Sequence, residues 1–207
     1  MSTAVSPRRG RKPDPAKRGT ILAAATAEFL ERGYEAARIE AIAARAGVSK
    51  VTVYGHFGTK ESLFTAAVET ECEKIRGALL FDDGHAPLKE RLAAFGHAMI
   101  AFLSRPEMVR FEQRIAAETE RHPELGRCFL EAGPMRMKRA LADLLDRARQ
   151  RGELVGIADP LLAAEQFASL VKGMADLERR FGRPIDRAAT NRRIDAAVAL
   201  FLKGYGR

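Results

Sequence analysis

The side chains that could recognise a ligand are concentrated in one short segment, residues 49–60. If this segment is helical, Val53 and Phe57 lie four residues apart and face inward. The outward face then carries hydroxyl, phenol and imidazole groups and no carboxylate, from Val51, Thr52, Tyr54, Gly55 and His56. Such a face suits the major groove of DNA, where apolar groups meet thymine methyls and hydroxyls reach base edges or phosphates.

Gly55 is the unusual member of this segment, because glycine costs a helix about 1 kcal/mol relative to alanine. Close approach of the helix backbone to DNA would account for it, and so would fraying of the helix.

The residue types that enzymes use do not form a catalytic pattern in this sequence. Four histidines and two cysteines occur, but there is no HExxH, no Gly-rich phosphate loop and no nucleophile motif. Cys72 and Cys128 lack the spacing of a metal site or a disulfide framework, so we expect free thiols in a reducing cytoplasm. Either thiol could sense redox state, although an inert thiol is the commoner case. We therefore expect no enzyme activity, no cofactor and no metal.

Positive charge is concentrated at the start of the chain. Residues 1–60 hold 11 Lys and Arg against 5 Asp and Glu, and residues 61–207 hold 24 against 22, for a net charge of +8. A basic region favours a polyanion, either nucleic acid or an anionic membrane surface, although ordinary solubilising charge explains the composition equally well. RNA-binding modules normally carry aromatic stacking platforms, and few aromatics lie in the basic third.

Without an apolar run of about 20 residues or a secretory signal, we expect a cytoplasmic protein and no membrane partner.

Proline and glycine divide the rest of the chain into helical patterns. Residues 1–15 are predicted to be a flexible basic arm. We expect Gly33 and Gly47 to end the first two helices, and Ser49 and Thr59 to cap the third and fourth. The later helices are predicted near 60–80, 87–104, 107–120, 123–131, 134–151, 160–181 and 187–203.

The turn at Gly47 joins two short helices, 39–46 and the one that follows Ser49, as in a helix-turn-helix unit. Glycine tolerates the positive φ that such a turn needs. An ordinary helical hairpin has the same features, so the outward face of the third helix is what favours DNA binding. The predicted fold class is all-α: a three-helix DNA-binding domain over 16–62, joined to a larger helical regulatory and dimerisation bundle over 63–207.

Two blocks resemble the DNA-binding domain of the TetR family of bacterial regulators: GRKP at 10–13 and ILAAATAEFLERGYEAARIEAIAARAGVSKVTVYGHFGTKESLF at 21–64. The second block contains the family's most recognisable pattern, AGVSKxTxYxHFxxKExLF. The resemblance implies that Thr52, Tyr54 and His56 touch DNA and that Lys60 binds a backbone phosphate. The complete set of predicted DNA-binding residues is Arg11, Arg38, Ser49, Lys50, Val51, Thr52, Tyr54, Gly55, His56 and Lys60.

Some positions depart from the family pattern. Ala37 and Arg38 stand where Ser or Thr is usual before the second helix, which removes a hydroxyl cap and a phosphate contact that Arg38 could replace. Gly55 stands where a larger side chain is frequent, which leaves fewer groups to discriminate bases. The basic arm could enter a minor groove or remain a solvated tail; its basic residues are Arg8, Arg9, Arg11 and Lys12.

Two later stretches, FEQRIAAETERHPELGRCFLEAG and GELVGIADPLLAAEQFASLVKG, resemble the AefR-like C-terminal half of some family members. This resemblance implies a regulatory domain that dimerises through its last two long helices and encloses a small-molecule pocket. Apolar walls with few polar groups predict a hydrophobic or aromatic effector. The candidate pocket residues are Phe95, His97, Met99, Phe102, Phe111, Arg114, Phe129, Met135 and Phe167. Phe and Met at this spacing also build plain cores, His97 could be a core histidine, and Arg114 could pair with Glu118.

Two apolar stripes near the end of the chain could form a four-helix interface between two copies or the core of a single copy. The candidate interface residues are Leu162, Gln166, Leu170, Met174, Ile194, Val198 and Phe201. The sequence thus predicts a homodimeric repressor that a small effector releases from a palindromic operator. An activator, or a DNA-binding protein of the same fold without a ligand, is the alternative.

Overall fold

The computed structural model describes residues 14–80 and 86–206. Residues 1–13 of the predicted basic arm, including the candidate DNA-binding residue Arg11, lie outside the described residues; its last two, Asp14 and Pro15, cap and begin the first helix.

Helices make up nearly all of the regular structure, and residues 14–80 and 86–206 contain no β-strand. The predicted all-α class is confirmed. The helices are α1 Pro15–Ala36, α2 Ile39–Arg45, α3 Lys50–Phe57, α4 Lys60–Leu80, α5 Leu88–Leu103, α6 Pro106–Thr119, α7 Pro123–Ala132, α8 Pro134–Gln150, α9 Pro160–Lys172, α10 Ala175–Arg180 and α11 Arg187–Tyr205.

The predicted turn and caps of the helix-turn-helix unit are present. Gly47 has φ 65°, in the region that favours glycine. Ser49 Oγ accepts a hydrogen bond from the Thr52 amide at 3.1 Å, and Thr59 Oγ1 accepts one from the Ser62 amide at 3.0 Å. Arg38 precedes α2 without a side-chain cap, as its departure from the family pattern predicts. These local bonds fix where α3 and α4 begin.

One predicted helix, 160–181, is wrong as a continuous element. Gly173 adopts φ 51° and separates α9 from α10. A Cβ built on Gly173 would lie 3.0 Å from Arg193 Cδ of α11. The chain therefore breaks where this turn packs closely against α11.

The helices enclose two hydrophobic cores. One joins α5, α8, α9 and α11, and the other joins α1–α4 with α6 and α7. In the second core, the rings of Phe29 and Phe64 pack edge to face, with centroids 5.3 Å apart. Helices α6 and α7 thus pack against α1 and α4, the helices on either side of the helix-turn-helix unit.

Three predicted interface residues on α11 belong to the core of the single chain. Ile194, Val198 and Phe201 have exposed fractions of 0%, 1% and 3%. They pack with α5 and α9, so the prediction that they form a dimer surface is wrong. For these three residues the other alternative from the sequence holds: their apolar stripe forms the core of a single copy.

Helix α1 contains a break that α6 holds from both sides. Gly33 has φ 82° and ψ −175°, so α1 is interrupted there and resumes as a short turn to Ala36. On one side, Arg114 Nη1 donates to the carbonyls of Leu30 and Glu31. On the other, Glu118 Oε2 accepts from the amides of Tyr34 and Glu35, both at 3.1 Å.

This arrangement corrects the predicted pair between Arg114 and Glu118. Each side chain bonds the backbone of α1, because the break exposes carbonyls on one side and amides on the other. A cation near helix carbonyls and a carboxylate near helix amides are both favourable arrangements. We call these two residues and the break at Gly33 the α1–α6 junction.

We expect Gly33→Ala to destabilise the protein by about 1–3 kcal/mol, because an alanine is strained in this backbone conformation. Its Cβ would also clash with Glu118 Oε1. Urea unfolding measures the effect. The matched control is Gly19→Ala in the same helix, where no heavy atom lies within 4 Å of the built Cβ; it should stabilise by about 0.5–1 kcal/mol. Equal shifts for the two variants would contradict this role of Gly33.

Candidate DNA-binding surface and ligand cavity

Helix α3 has one buried side and one open side. Val53 and Phe57 are buried at 1% and 9% exposure and belong to the core shared by α1–α4. Val51 is 81% exposed and Tyr54 39%. The side chains predicted to face inward are thus the ones that anchor the helix, and Val51 and Tyr54 project away from it.

Gly55 lies on the exposed surface of α3. A Cβ built on it would meet no heavy atom within 4 Å. Packing within the described chain therefore does not require glycine here, and the helix backbone is accessible at this position.

Lys50 holds a carboxylate partner in this structure. Its Nζ lies 2.5 Å from Glu40 Oε1 of α2 and 5.9 Å from the centroid of the Tyr54 ring. The hydrogen bond with Glu40 raises the pKa of Lys50, and the same bond lowers the pKa of Glu40. Both side chains are exposed, so water and salt screen the pair, and a phosphate can compete with Glu40 for the ammonium.

Lys60 at the start of α4 is more enclosed. Its Nζ donates to the Glu35 carbonyl at 3.1 Å and lies 4.9 Å from the centroid of the Tyr34 ring. Desolvation lowers the pKa of Lys60, against the opposing effect of nearby carboxylates, chiefly Glu118. Lys60 thus links the first turn of α4 to the short turn that follows the break in α1.

The remaining predicted DNA-binding residues surround these positions. Ser49 Oγ and Thr52 Oγ1 lie 2.8 Å apart. His56 is half-buried, and its Nδ1 has no hydrogen-bond partner within the described part of the chain. Arg38 is exposed at the start of α2. Together with α3 they form a surface that can meet a polyanion.

A cavity of about 450 Å³ lies between the two cores. Helices α1 and α4–α10 all contribute to its wall. Six of the nine candidate pocket residues line it: Phe95, Met99, Phe102, Phe111, Phe129 and Met135.

The other three candidates lie elsewhere. His97 is exposed, because two residues along α5 turn the side chain by about 200° from Phe95. Phe167 is fully buried in the core of α5, α8, α9 and α11. Arg114 bonds the α1 backbone. The prediction that these three residues line the pocket is wrong.

The cavity also has polar residues that the sequence pattern did not single out. Arg179 of α10 is 8% exposed and lies 3.0 Å from Glu112 Oε2 and 2.8 Å from Asp176 Oδ1. It also donates to the Leu103 carbonyl at 2.8 Å. Thr26 of α1 also lines the cavity, and its hydroxyl is buried. Glu112 and Arg179 are 67 residues apart, so no local spacing could reveal their contact.

Neither cysteine has the environment of a reactive thiol. Cys72 lines the cavity, and burial raises its pKa to about 11. Burial and the hydrogen bond with Glu61 raise the pKa of Cys128, whose Sγ donates to Glu61 Oε1 at 3.3 Å. Little thiolate therefore forms near neutral pH, and thiolate is the reactive species.

The residues that the structure describes carry neither a metal-binding cluster nor a membrane-spanning helix. No group of three His, Cys, Asp or Glu side chains is placed to hold a metal ion. No helix among those same residues has the length and apolar composition of a membrane span.

Two family models match the chain. Residues 90–207 match the model described as AefR-like transcriptional repressor, C-terminal domain, and residues 21–67 match the model of bacterial regulatory proteins, tetR family.

Similar proteins of known sequence or structure include regulators. The HTH-type transcriptional activator FasR of Mycolicibacterium smegmatis is 44% identical over 69 residues, which cover 33% of this chain and 32% of that protein. The structure of a TetR-family regulator from Mesorhizobium loti has 31% identity and a TM-score of 0.77, covering 93% of this chain and 98% of that one. The Flavonoid-responsive Regulator FrrA has 36% identity and a TM-score of 0.74 over the same shares.

Proposed function

This chain belongs to the TetR family of bacterial transcriptional regulators, which bind DNA and are not enzymes, and on that premise we propose that it is a homodimeric repressor released from its operator by a small aromatic effector. The observation that carries the proposal is the position of the cavity. It is bounded by α1 and α4 of the DNA-binding core and by helices of the regulatory bundle. A molecule bound there would contact both parts at once.

The operator contacts are assigned to α3 and the residues around it. In our proposal, Val51, Thr52, Tyr54 and His56 face the bases, and the backbone at Gly55 approaches the groove closely. The open face of α3 supports this, since Val51 is 81% exposed and nothing crowds Gly55. The phosphate contacts are assigned to Arg38, Ser49, Lys50 and Lys60. In a dimer, two such helices would enter successive major grooves of a palindrome, about 34–36 Å apart.

The dimer surface is proposed on the exposed faces of α9 and α11 and at Met174, which lies between α9 and α10. Of the predicted interface residues, Leu162 and Met174 are 50% and 68% exposed, and Leu200 of α11 adds an apolar side chain that is 58% exposed. Gln166 is also exposed and accepts a hydrogen bond from the Tyr205 hydroxyl at 2.8 Å. Large exposed apolar groups on neighbouring helices are typical of a surface that a second copy covers.

An aromatic effector is supported by the cavity wall and by one relative. Four phenylalanines line the cavity: Phe95, Phe102, Phe111 and Phe129. FrrA, which is 36% identical over 93% of this chain, is named for its response to flavonoids. We therefore propose planar aromatic molecules of that kind as the effector class. Their effect on DNA affinity must equal the effect of DNA on their own affinity.

Repression is favoured over activation by the extent of the matches. The model described as a repressor domain covers residues 90–207, whereas the match to the activator FasR covers 69 residues and 32% of that protein.

Footprinting on the promoters that flank the gene tests the function. We expect one protected palindrome, and we expect a flavonoid to remove the protection. Protection of no sequence in preference to bulk DNA would contradict a specific regulator.

We expect Tyr54→Ala to weaken operator binding by about 1–3 kcal/mol through a lost base contact. Lys60→Ala should weaken binding to all sequences and lower the slope of log affinity against log salt by about 1, because one phosphate contact is lost. Fluorescence anisotropy titrations at several salt concentrations measure both. Lys89→Ala, at an exposed lysine of α5, is the control and should match the wild type. Unchanged operator affinity of both Tyr54→Ala and Lys60→Ala would refute the proposal that α3 contacts the operator.

We expect the double variant Leu162→Arg, Met174→Arg to sediment as a monomer and to lose operator affinity, since buried unpaired charges oppose an interface. Analytical ultracentrifugation measures the mass. The matched control is Leu130→Arg on α7, where the leucine is also half exposed, at 51%, but lies outside the proposed dimer surface. A double variant that remains dimeric would place the interface elsewhere.

A further inference from the structure

The first helix of the DNA-binding core forms part of the cavity wall. Thr26, Phe29 and Leu30 of α1 line the cavity. Their spacing of three and four residues places them on one face of the helix. A ligand in the cavity therefore lies directly against α1.

Thr26 has an unusual hydroxyl among the threonines of the described helices. Its Oγ1 is buried and has no hydrogen-bond partner within residues 14–80 and 86–206. By contrast, four helical threonines donate to the carbonyl four residues earlier, at 2.7 to 3.0 Å; they are Thr20, Thr65, Thr70 and Thr119. Thr26 could make the same bond to Leu22 but does not. A buried hydroxyl without a partner is costly, so a ligand that supplies the partner gains from the contact.

The carboxylates of the cavity wall are already paired with cationic side chains, and Lys172, a further cation of the wall, lies close enough to Glu165 to lower its pKa. Each of its four carboxylates has a cationic partner: Glu71 with Arg105, Glu112 with Arg179, Asp176 with Arg179, and Glu165 with Lys138. A charged ligand would have to compete with these pairs or leave its own charge uncompensated in a mostly apolar space. An uncharged ligand leaves the pairs intact.

We propose that the effector is an uncharged aromatic molecule whose hydroxyl or carbonyl group hydrogen-bonds to Thr26, the cavity-lining threonine of α1 whose hydroxyl lacks a partner. This inference rests on the proposed function and adds to it the polarity of the effector and its contact with the DNA-binding core. The effector then acts on α1 without an intermediate helix. Phe29 of the same face packs on Phe64 of α4, so a displacement of α1 also reaches the helix that follows α3.

The test uses 5,7-dihydroxyflavone as the probe and isothermal titration calorimetry as the measurement. Thr26→Val removes the hydroxyl and keeps the shape, and we expect about a 5-fold loss of affinity, the usual worth of one neutral hydrogen bond. Thr26→Ser keeps the hydroxyl and should stay within about 2-fold of the wild type. Thr70→Val, at a threonine of α4 that does not line the cavity, is the control and should bind like the wild type.

Two further readouts separate this contact from a structural role. Thr26→Val should melt no lower than the wild type, because it removes a buried hydroxyl without a partner. At a saturating concentration of the flavone, the loss of operator affinity should be smaller in Thr26→Val than in the wild type, because the contact with α1 is missing. A sulfonated form of the same flavone should bind at least about 10-fold more weakly, because it must compete with the cavity carboxylates for the cations of the wall.

The outcomes distinguish the contact with Thr26 from the proposed effector class. Equal affinity of the flavone for the wild type and Thr26→Val would overturn the contact with Thr26 while leaving the effector class in place. Equal binding of the sulfonated form would overturn the requirement for an uncharged ligand. No binding of the flavone to the wild type would overturn the proposed effector class, and the Thr26 contact with it, while footprinting would still report on DNA binding.

Discussion

The position of α3 depends on how α6 holds the break in α1. Arg114 bonds the carbonyls of Leu30 and Glu31 before the break, and Glu118 bonds the amides of Tyr34 and Glu35 after it. The segment beyond the break leads directly into α2 and α3. Since a helix end without partners is unfavourable when enclosed, these bonds favour one placement of that segment, and a shift of α6 would carry it along.

The cavity is placed where such a shift could begin. It lies between the two cores, and its wall includes α1, α4 and α6 together with helices of the C-terminal bundle. Phe111 lines it from α6, one turn before Arg114. A ligand can change the balance between two arrangements only if it binds one of them better. We propose that contacts of the ligand with both α1 and α6 make its affinity differ between the two arrangements.

Local features were predictable from the sequence because they depend on neighbouring residues. The caps at Ser49 and Thr59, the turn at Gly47 and the buried pair Val53 and Phe57 all follow from spacing and residue type. The errors concern contacts between distant segments. Apolar periodicity does not distinguish a dimer face from a core, so the dimer face it predicts for Ile194, Val198 and Phe201 of α11 is wrong. Likewise, only the fold shows that Glu118 meets an amide 84 residues away or that the Thr26 hydroxyl lacks a partner.

The distance between the two α3 helices of the proposed dimer tests most directly whether the α1–α6 junction positions α3. Spin labels at Val51→Cys, an 81% exposed position, in a background of Cys72→Ser and Cys128→Ser, report it by double electron–electron resonance. We expect one narrow distance distribution, which broadens when Glu118→Ala removes the bonds to the α1 amides. The same narrow distribution in both proteins would contradict the claim that the α1–α6 junction positions α3.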